Sequence, residues 1–155
     1  MLLIKTFNFI YIFADEEPTD VFVGFTAYAD ERRNYPNAGD VIIFEETVTN
    51  IGNHYDPITG RFTCPWTGVY LFSLTITSEN NFYAVIDIVK EGNMLVSAIG
   101  DDFDLIQGSN FVITECIAGE RVWSACKFEN SCVLFLNDDD IRRYSSFSGY
   151  LLQKY

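Results

Sequence analysis

The chain has 155 residues, a length typical of one domain, and its net charge is −12. Apolar residues make up 48% and aromatic residues 16%, which allows a full core and favours strands, because aromatic side chains suit a half-buried pleated surface. The acidic balance argues against nucleic acid and anionic membranes as partners, since both need a basic surface. It is compatible with a divalent cation, with a basic partner, or with an acidic surface that only keeps the protein soluble.

The N-terminal segment 1–20 has two interpretations. Met1–Ala14 combines a lysine, an apolar stretch and a small residue ahead of three acidic residues, which is typical of a short signal peptide. The segment also contains alternating aromatic residues, which equally predict an extra N-terminal strand: Phe7, Phe9, Tyr11 and Phe13. We expect the globular domain to occupy residues 21–155.

Short apolar runs recur between turn signals, and no stretch shows sustained helical periodicity or is long enough to span a membrane. Within 68–77, Phe72, Leu74 and Ile76 fall on one face of a predicted strand. Many short strands with intervening turns predict one all-β sandwich or barrel. The predicted strands, in chain order, are 21–28, 41–44, 68–77, 82–89, 94–99, 110–116, 121–126, 132–136 and 147–152.

Three turns have a defined chemistry. Asp56-Pro57 with Gly60 predicts a tight turn before a short strand at 62–64. Lys90–Asn93 predicts a hairpin turn, and so does Ala118-Gly119. The final strand is expected to be anchored by Phe147, Tyr150 and Leu152.

Seven stretches follow one another in a characteristic order and spacing. They read GFTAY (24–28), GDVIIF (39–44), VTNIG (48–52), YDPITGRFTCPWTGVY (55–70), DIVKEG (87–92), AGERVW (118–123) and SSFSGYLL (145–152). Together they closely resemble the globular head domain of complement C1q, in the C1q and tumour-necrosis-factor superfamily, over residues 22–152. Because the chain has no Gly-X-Y repeat, we expect a stand-alone C1q-like domain without a collagen stalk.

The resemblance implies a ten-stranded jelly-roll β-sandwich that assembles as a homotrimer with aromatic and aliphatic residues at the seam. It also implies a secreted protein that binds glycans or other microbial surface molecules, as a lectin-like module of innate immunity. A cytokine-like or receptor-binding trimeric ligand is the alternative. An enzyme is not predicted, because His54 is the one histidine and no motif pairs it with a nucleophile.

The resemblance also raises calcium as a cofactor, because some relatives bind it near the trimer axis. The matching loop is rich in oxygen ligands, which calcium prefers, namely Asp101, Asp102, Asp104 and Gln107. Leu105 and Ile106 fall nearest the second acidic position of the family. A solvated acidic loop therefore remains the alternative.

The four cysteines form no CxxC pair, which argues against zinc. Cys126 and Cys132 would face each other if the residues between them form a hairpin, so a disulfide is predicted there. In some relatives Cys64 has a disulfide partner, but that position falls near Tyr83 in this chain. Cys64 and Cys116 are therefore expected to be buried thiols.

Ligand contacts are predicted where arginine and exposed aromatic residues share a loop. Arginine suits carboxylates such as that of sialic acid, and aromatic rings suit sugar stacking. The alternative is that these residues are only charged loop ends. The candidates are Arg32, Arg33, Tyr35, Arg142, Arg143 and Tyr144.

Overall fold

A computed structural model of the chain describes residues 22–29, 34–35, 37–78, 84–100, 107–129, 132–134 and 143–155. The predicted segment 1–20 lies outside them. Every regular element in the described ranges is a β-strand. In chain order the strands are β1 (Gly24–Tyr28), β2 (Asn34–Tyr35), β3 (Glu46–Ile51), β4 (Tyr55–Asp56), β5 (Arg61–Thr63), β6 (Gly68–Thr77), β7 (Ala84–Lys90), β8 (Asn93–Gly100), β9 (Gln107–Cys116), β10 (Arg121–Cys126), β11 (Cys132–Val133) and β12 (Ser146–Lys154).

The described strands form two five-stranded sheets and one small ribbon. The first sheet has the order β3-β1-β12-β6-β9, and the second has the order β4-β5-β10-β7-β8. All pairings are antiparallel, and β2 pairs with β11 in the ribbon. The predicted all-β jelly roll with ten sandwich strands is confirmed.

Strand β6 illustrates why the sequence folds this way. Buried and half-buried residues alternate along it, with Phe72, Leu74 and Ile76 fully buried. This alternation follows from the two-residue period of a strand, and it confirms the predicted face. The inward side chains of β6 meet those of the second sheet, which places the core between the sheets.

An aromatic cluster joins the two sheets at the centre of the core. The ring of Phe25 on β1 stacks on Tyr55 and Phe62 of the second sheet, at centroid distances of 4.6 and 5.1 Å. Phe72 on β6 meets Phe62 edge-on at 5.6 Å. Gly149 on β12 leaves room for these rings, because a Cβ atom there would lie 2.5 Å from Phe72.

The two predicted hairpin turns have different outcomes. Lys90 pairs with Asn93 across a turn in which Glu91 and Gly92 both have positive φ, so the β7–β8 hairpin is confirmed. The turn at Ala118-Gly119 is present, but the strands on either side lie in different sheets. The hairpin prediction is wrong there, because the turn carries the chain from the first sheet to the second.

The predicted disulfide between Cys126 and Cys132 is confirmed, with the two Cα atoms 5.9 Å apart. The described strands that contain the two cysteines, β10 and β11, do not pair with each other as a hairpin would require. Cys132 instead pairs with Tyr35 in the ribbon, while Cys126 ends a strand of the second sheet. The disulfide therefore fastens the ribbon to the sandwich.

Candidate functional site

The outer face of the first sheet carries a row of apolar side chains. Register places Leu71 beside Ile113 on one side and beside Tyr150 on the other. Since directly paired residues share a face, these three side chains lie together. Gly24 separates Tyr150 from Ile51 and completes the row across the sheet. Ile113, Tyr150 and Ile51 are 56%, 46% and 41% exposed, so the row is open to solvent.

The row contains a shallow depression of about 210 Å³ at the β3–β1–β12 side. Its lining is apolar or carries neutral hydroxyl groups, and none of the described residues that line it is charged. A single domain with a net charge of −12 seldom leaves such a region uncharged unless another surface covers it. The lining residues are Phe22, Gly24, Phe25, Thr26, Thr49, Ile51, Leu71, Ser148, Gly149 and Tyr150.

The adjacent row of paired residues on this face is also uncharged. Phe111, which is 63% exposed, pairs with Ser73 on β6. Further along, the Ser148 hydroxyl donates a hydrogen bond of 3.0 Å to the Thr26 hydroxyl. These two hydroxyl groups are hydrogen-bonded to each other, so covering this row leaves neither of them without a partner.

Sequence reasoning missed this surface as a site. Tyr150 and Leu152 were expected to anchor the final strand, but they are exposed. That expectation is corrected, because β12 buries Phe147 and turns Tyr150 to the outer face. The signal was present in β9, where Phe111 and Ile113 are apolar on the side opposite Val112.

Two of the predicted ligand residues lie in the described segment before β12. The guanidinium of Arg143 lies over the Tyr28 ring, 4.3 Å from its centroid. Arg143 is exposed, and no described carboxylate forms an ion pair with it. The structure thus presents a cation that an aromatic ring holds in place.

Gln107 reaches the same loop from the first residue of β9. Its amide group donates a hydrogen bond of 2.7 Å to the backbone carbonyl of Tyr144. One predicted calcium ligand and two predicted ligand-binding residues are therefore neighbours. The side-chain carbonyl of Gln107 is left for another partner.

Tyr35 does not have the exposure expected of a ligand-stacking residue. It is 7% exposed, and its hydroxyl accepts a hydrogen bond of 3.0 Å from the Ile43 amide. This prediction is corrected, because the β2–β11 pairing turns the ring into the core.

The remaining predicted site residues lie outside the described ranges. For the ligand site they are Arg32, Arg33 and Arg142, and for the calcium site they are Asp101, Asp102 and Asp104. In the residues that are described, no group of three histidine, cysteine or acidic side chains is placed to hold a metal ion.

The outer face of the second sheet carries paired charges as well as exposed apolar residues such as Ile99 and Met94. Lys127 lies 3.5 Å from the Asp87 carboxylate and donates a hydrogen bond of 3.0 Å to Ser97. Arg61 lies over the Trp123 ring at 4.4 Å. Both cations therefore have an acidic or aromatic neighbour on the same sheet.

Comparison with known families matches residues 24–152 to the C1q domain. The chain belongs to the C1q domain family. Among curated relatives, it is 34% identical to mouse complement C1q tumor necrosis factor-related protein 7 over 122 residues, covering 77% of this chain and 40% of the relative. It is 29% identical to human complement C1q tumor necrosis factor-related protein 3 over 138 residues, covering 87% of this chain and 53% of the relative.

Solved structures agree on the C1q-like fold. The globular domain of zebrafish complement 1qA superposes with a TM-score of 0.66 at 18% identity, over 86% of this chain and 99% of that one. Murine APRIL superposes with a TM-score of 0.62 at 12% identity, over 84% and 99% of the two chains. The C1q domain chain spans about half or less of the length of the curated relatives given above. In its described residues, no helix has the length and apolar character to cross a membrane.

Proposed function

We propose that this C1q domain chain is a secreted recognition module that works as a homotrimer and binds glycans or other microbial surface molecules in innate defence. The observation that carries the proposal is the apolar row on the outer face of the first sheet. A module whose single site binds weakly gains avidity when three copies present the site together. In this proposal the domain binds a ligand and does not catalyse a reaction.

The apolar row supports self-association. Leu71, Ile113 and Tyr150 are adjacent and solvent-accessible, although each would be better covered. A second copy of the chain offers the same row, and no member of the row is charged. The aromatic and aliphatic composition of the row is what a trimer seam needs.

The oligomeric mass in solution tests this step. Sedimentation equilibrium should give about three times the chain mass of 17.7 kDa for the native sequence. Ile113→Asp should convert it to a monomer, because each seam would then bury an unpaired carboxylate. The matched control is Ile58→Asp, which changes an isoleucine that is 84% exposed in the β4–β5 turn.

A trimer that persists in Ile113→Asp would exclude the first sheet as the seam. A native protein that is monomeric, with and without a calcium chelator, would exclude the trimer itself. Loss of the trimer in both variants would show that it depends on surface charge rather than on this face.

Arg143 and its neighbours support the ligand site. An arginine fork can accept a carboxylate or sulfate in two hydrogen bonds, and the Tyr28 ring holds its guanidinium in position. Tyr144 adds an aromatic ring in the same loop, and Gln107 fixes the backbone there. In a protein this acidic, such a cation is a selective anchor for an acidic sugar.

A glycan array with the purified protein tests the ligand. The native protein should bind acidic glycans, and Arg143→Ala should weaken binding at least tenfold, the loss typical of one charged hydrogen-bonded contact. Arg61→Ala is the matched control, because Arg61 also stacks on a ring, at 4.4 Å, but on the other sheet. Arrays with calcium and with chelator would test the predicted calcium site.

The glycan proposal fails if the native trimer binds no glycan with or without calcium. The alternative of a receptor-binding ligand would then be the remaining hypothesis. If Arg61→Ala loses binding and Arg143→Ala does not, the ligand site lies on the second sheet.

A further inference from the structure

The two remaining cysteines lie at the end of the sandwich where the chain changes sheet. Cys64 follows β5 of the second sheet, and Cys116 is the last residue of β9 in the first sheet. Both are unpaired and completely buried. The function described above uses neither of them.

Backbone hydrogen bonds hold the two cysteine segments side by side. The Cys64 amide donates to the Glu120 carbonyl, and the Gly119 amide donates to the Cys64 carbonyl, each at 2.8 Å. Cys116, at the end of β9, pairs with Gly68 at the start of β6, which follows Cys64 closely in the chain. Both thiols are completely buried between these segments, close enough for each to shift the pKa of the other.

The surroundings give the two sulfurs different roles. The neighbouring Cys64 thiol lowers the pKa of Cys116, and the nearby Lys90 ammonium acts in the same direction. The Cys116 sulfur, together with burial, raises the pKa of Cys64. Lys90 is held in place by the Glu115 carbonyl at 2.7 Å and the Glu120 carboxylate at 3.5 Å.

We infer that Cys64 and Cys116 are a dithiol site that forms a second disulfide by exchange with a small disulfide such as oxidised glutathione. The Cys116 thiolate attacks one sulfur of the small disulfide, forms a mixed disulfide and releases one glutathione thiolate. Cys64 then gives its proton to water and attacks the Cys116 sulfur, releasing the second glutathione thiolate. The two cysteines lose two electrons and two protons, and the oxidised glutathione becomes two reduced molecules.

The reagent reaches the thiols through local opening of the surface segments that cover them. Ile117, next to Cys116, is 62% exposed, and Trp66, two residues after Cys64, is 39% exposed. Both belong to short connections, which open more readily than core strands. The same Cys64–Cys116 disulfide would form if the thiol–disulfide exchange took place while the chain folds.

The new bond would tie the first sheet to the second. The existing disulfide closes a separation of only 6 residues. The bond between residues 64 and 116 closes a far longer loop, and longer loops restrict the unfolded chain more strongly. We expect the oxidised site to raise the Tm by about 5–10 °C relative to its dithiol form.

The experiment equilibrates the reduced native protein in glutathione buffers of increasing oxidised fraction. Samples are quenched in acid, unfolded, alkylated with N-ethylmaleimide and weighed by intact and peptide mass spectrometry. The fully oxidised protein should take up no maleimide and should give a cross-linked peptide pair containing Cys64 and Cys116. Cys126→Ser combined with Cys132→Ser leaves only the proposed pair, and its Tm should still rise on oxidation.

Single variants test the two roles. Cys64→Ser should retain one glutathione on Cys116, because no resolving thiol remains. Cys116→Ser should acquire glutathione on Cys64 more slowly. Two maleimide groups on Cys64 and Cys116 in every buffer, or a lasting glutathione adduct in the native sequence, would overturn the inference. Neither result depends on the trimer or its ligand.

Discussion

The outer faces of the two sheets differ although both sheets pack on the same core. The first sheet presents Leu71, Ile113 and Tyr150 in one uncharged row. The second presents charged side chains with neighbours of their own, such as Lys127 beside Asp87. The contrast indicates that the apolar row of the first sheet is suited to contact with a further protein surface.

The inner faces, by contrast, are alike. Each sheet contributes aromatic rings to the shared cluster, with Phe72 from the first sheet meeting Phe62 from the second. The stability of one protomer therefore depends on side chains that point inward. The outer rows decide what the protomer contacts.

The largest effect is expected from the inward side of β6. Phe72→Ala should lower the free energy of unfolding by about 3–5 kcal/mol, because it leaves a cavity between the sheets. Phe111→Ala, on the outer side of the adjacent strand, should change the stability of an isolated protomer by less than about 0.5 kcal/mol. Urea unfolding at several protein concentrations would measure both, and equal losses would contradict the distinction between the faces.

A smaller effect is expected on the charged face. Lys127→Met removes the cation beside Asp87, which is 9% exposed, so the free energy of unfolding should fall by about 1–2 kcal/mol. Lys154→Met is the control, because Lys154 stacks on Trp66 at the surface and has no described carboxylate partner. If both variants lose the same free energy of unfolding in urea, the Asp87–Lys127 pair makes no specific contribution to the stability of the second sheet.

The smallest effect is expected at alkaline pH. It concerns the buried tyrosines that both sheets contribute to the core. Burial raises the pKa of Tyr70 in the first sheet to about 12, and it also raises the pKa of Tyr55 in the second. Above about pH 10 the unfolded tyrosines ionise while the native ones keep their protons. The native state then holds more protons, so the free energy of unfolding falls as pH rises, by up to about 1 kcal/mol per residue near pH 11.

Thermal unfolding between neutral pH and pH 11 would measure this loss. Tyr55→Phe and Tyr70→Phe should each reduce the alkaline loss. At neutral pH, Tyr55→Phe loses a hydrogen bond to the Phe44 carbonyl, and Tyr70→Phe loses the hydrogen bonds that the hydroxyl makes with the Trp66 carbonyl and amide. The same alkaline slope in the native protein and both variants would contradict the assignment.

Much of the fold was predictable because strands carry a local signal. The alternation in 68–77 placed Phe72, Leu74 and Ile76 in the core, and the turn residues marked the β7–β8 hairpin. The pairing across Ala118-Gly119 was not predictable. A tight turn has the same chemistry whether the following strand joins the same sheet or the opposite one.

The candidate sites were predicted only in part. Arg143, Tyr144 and Gln107 come together as neighbours, although they were predicted for two different roles. Tyr35 was misassigned, because a loop aromatic gives no local sign of whether it turns outward or into the core. The apolar outer row was missed, since it crosses all five strands of the first sheet, which come from different parts of the chain.

The sequence by itself determined an all-β domain of the C1q family, its strand faces and the disulfide between Cys126 and Cys132. These features follow from side-chain period, turn chemistry and ordered motifs, all of which are local. Only the tertiary structure decided which apolar side chains form a row on an outer face and that Cys64 lies near Cys116. Those features depend on which strands become neighbours, and that is a property of the whole sandwich.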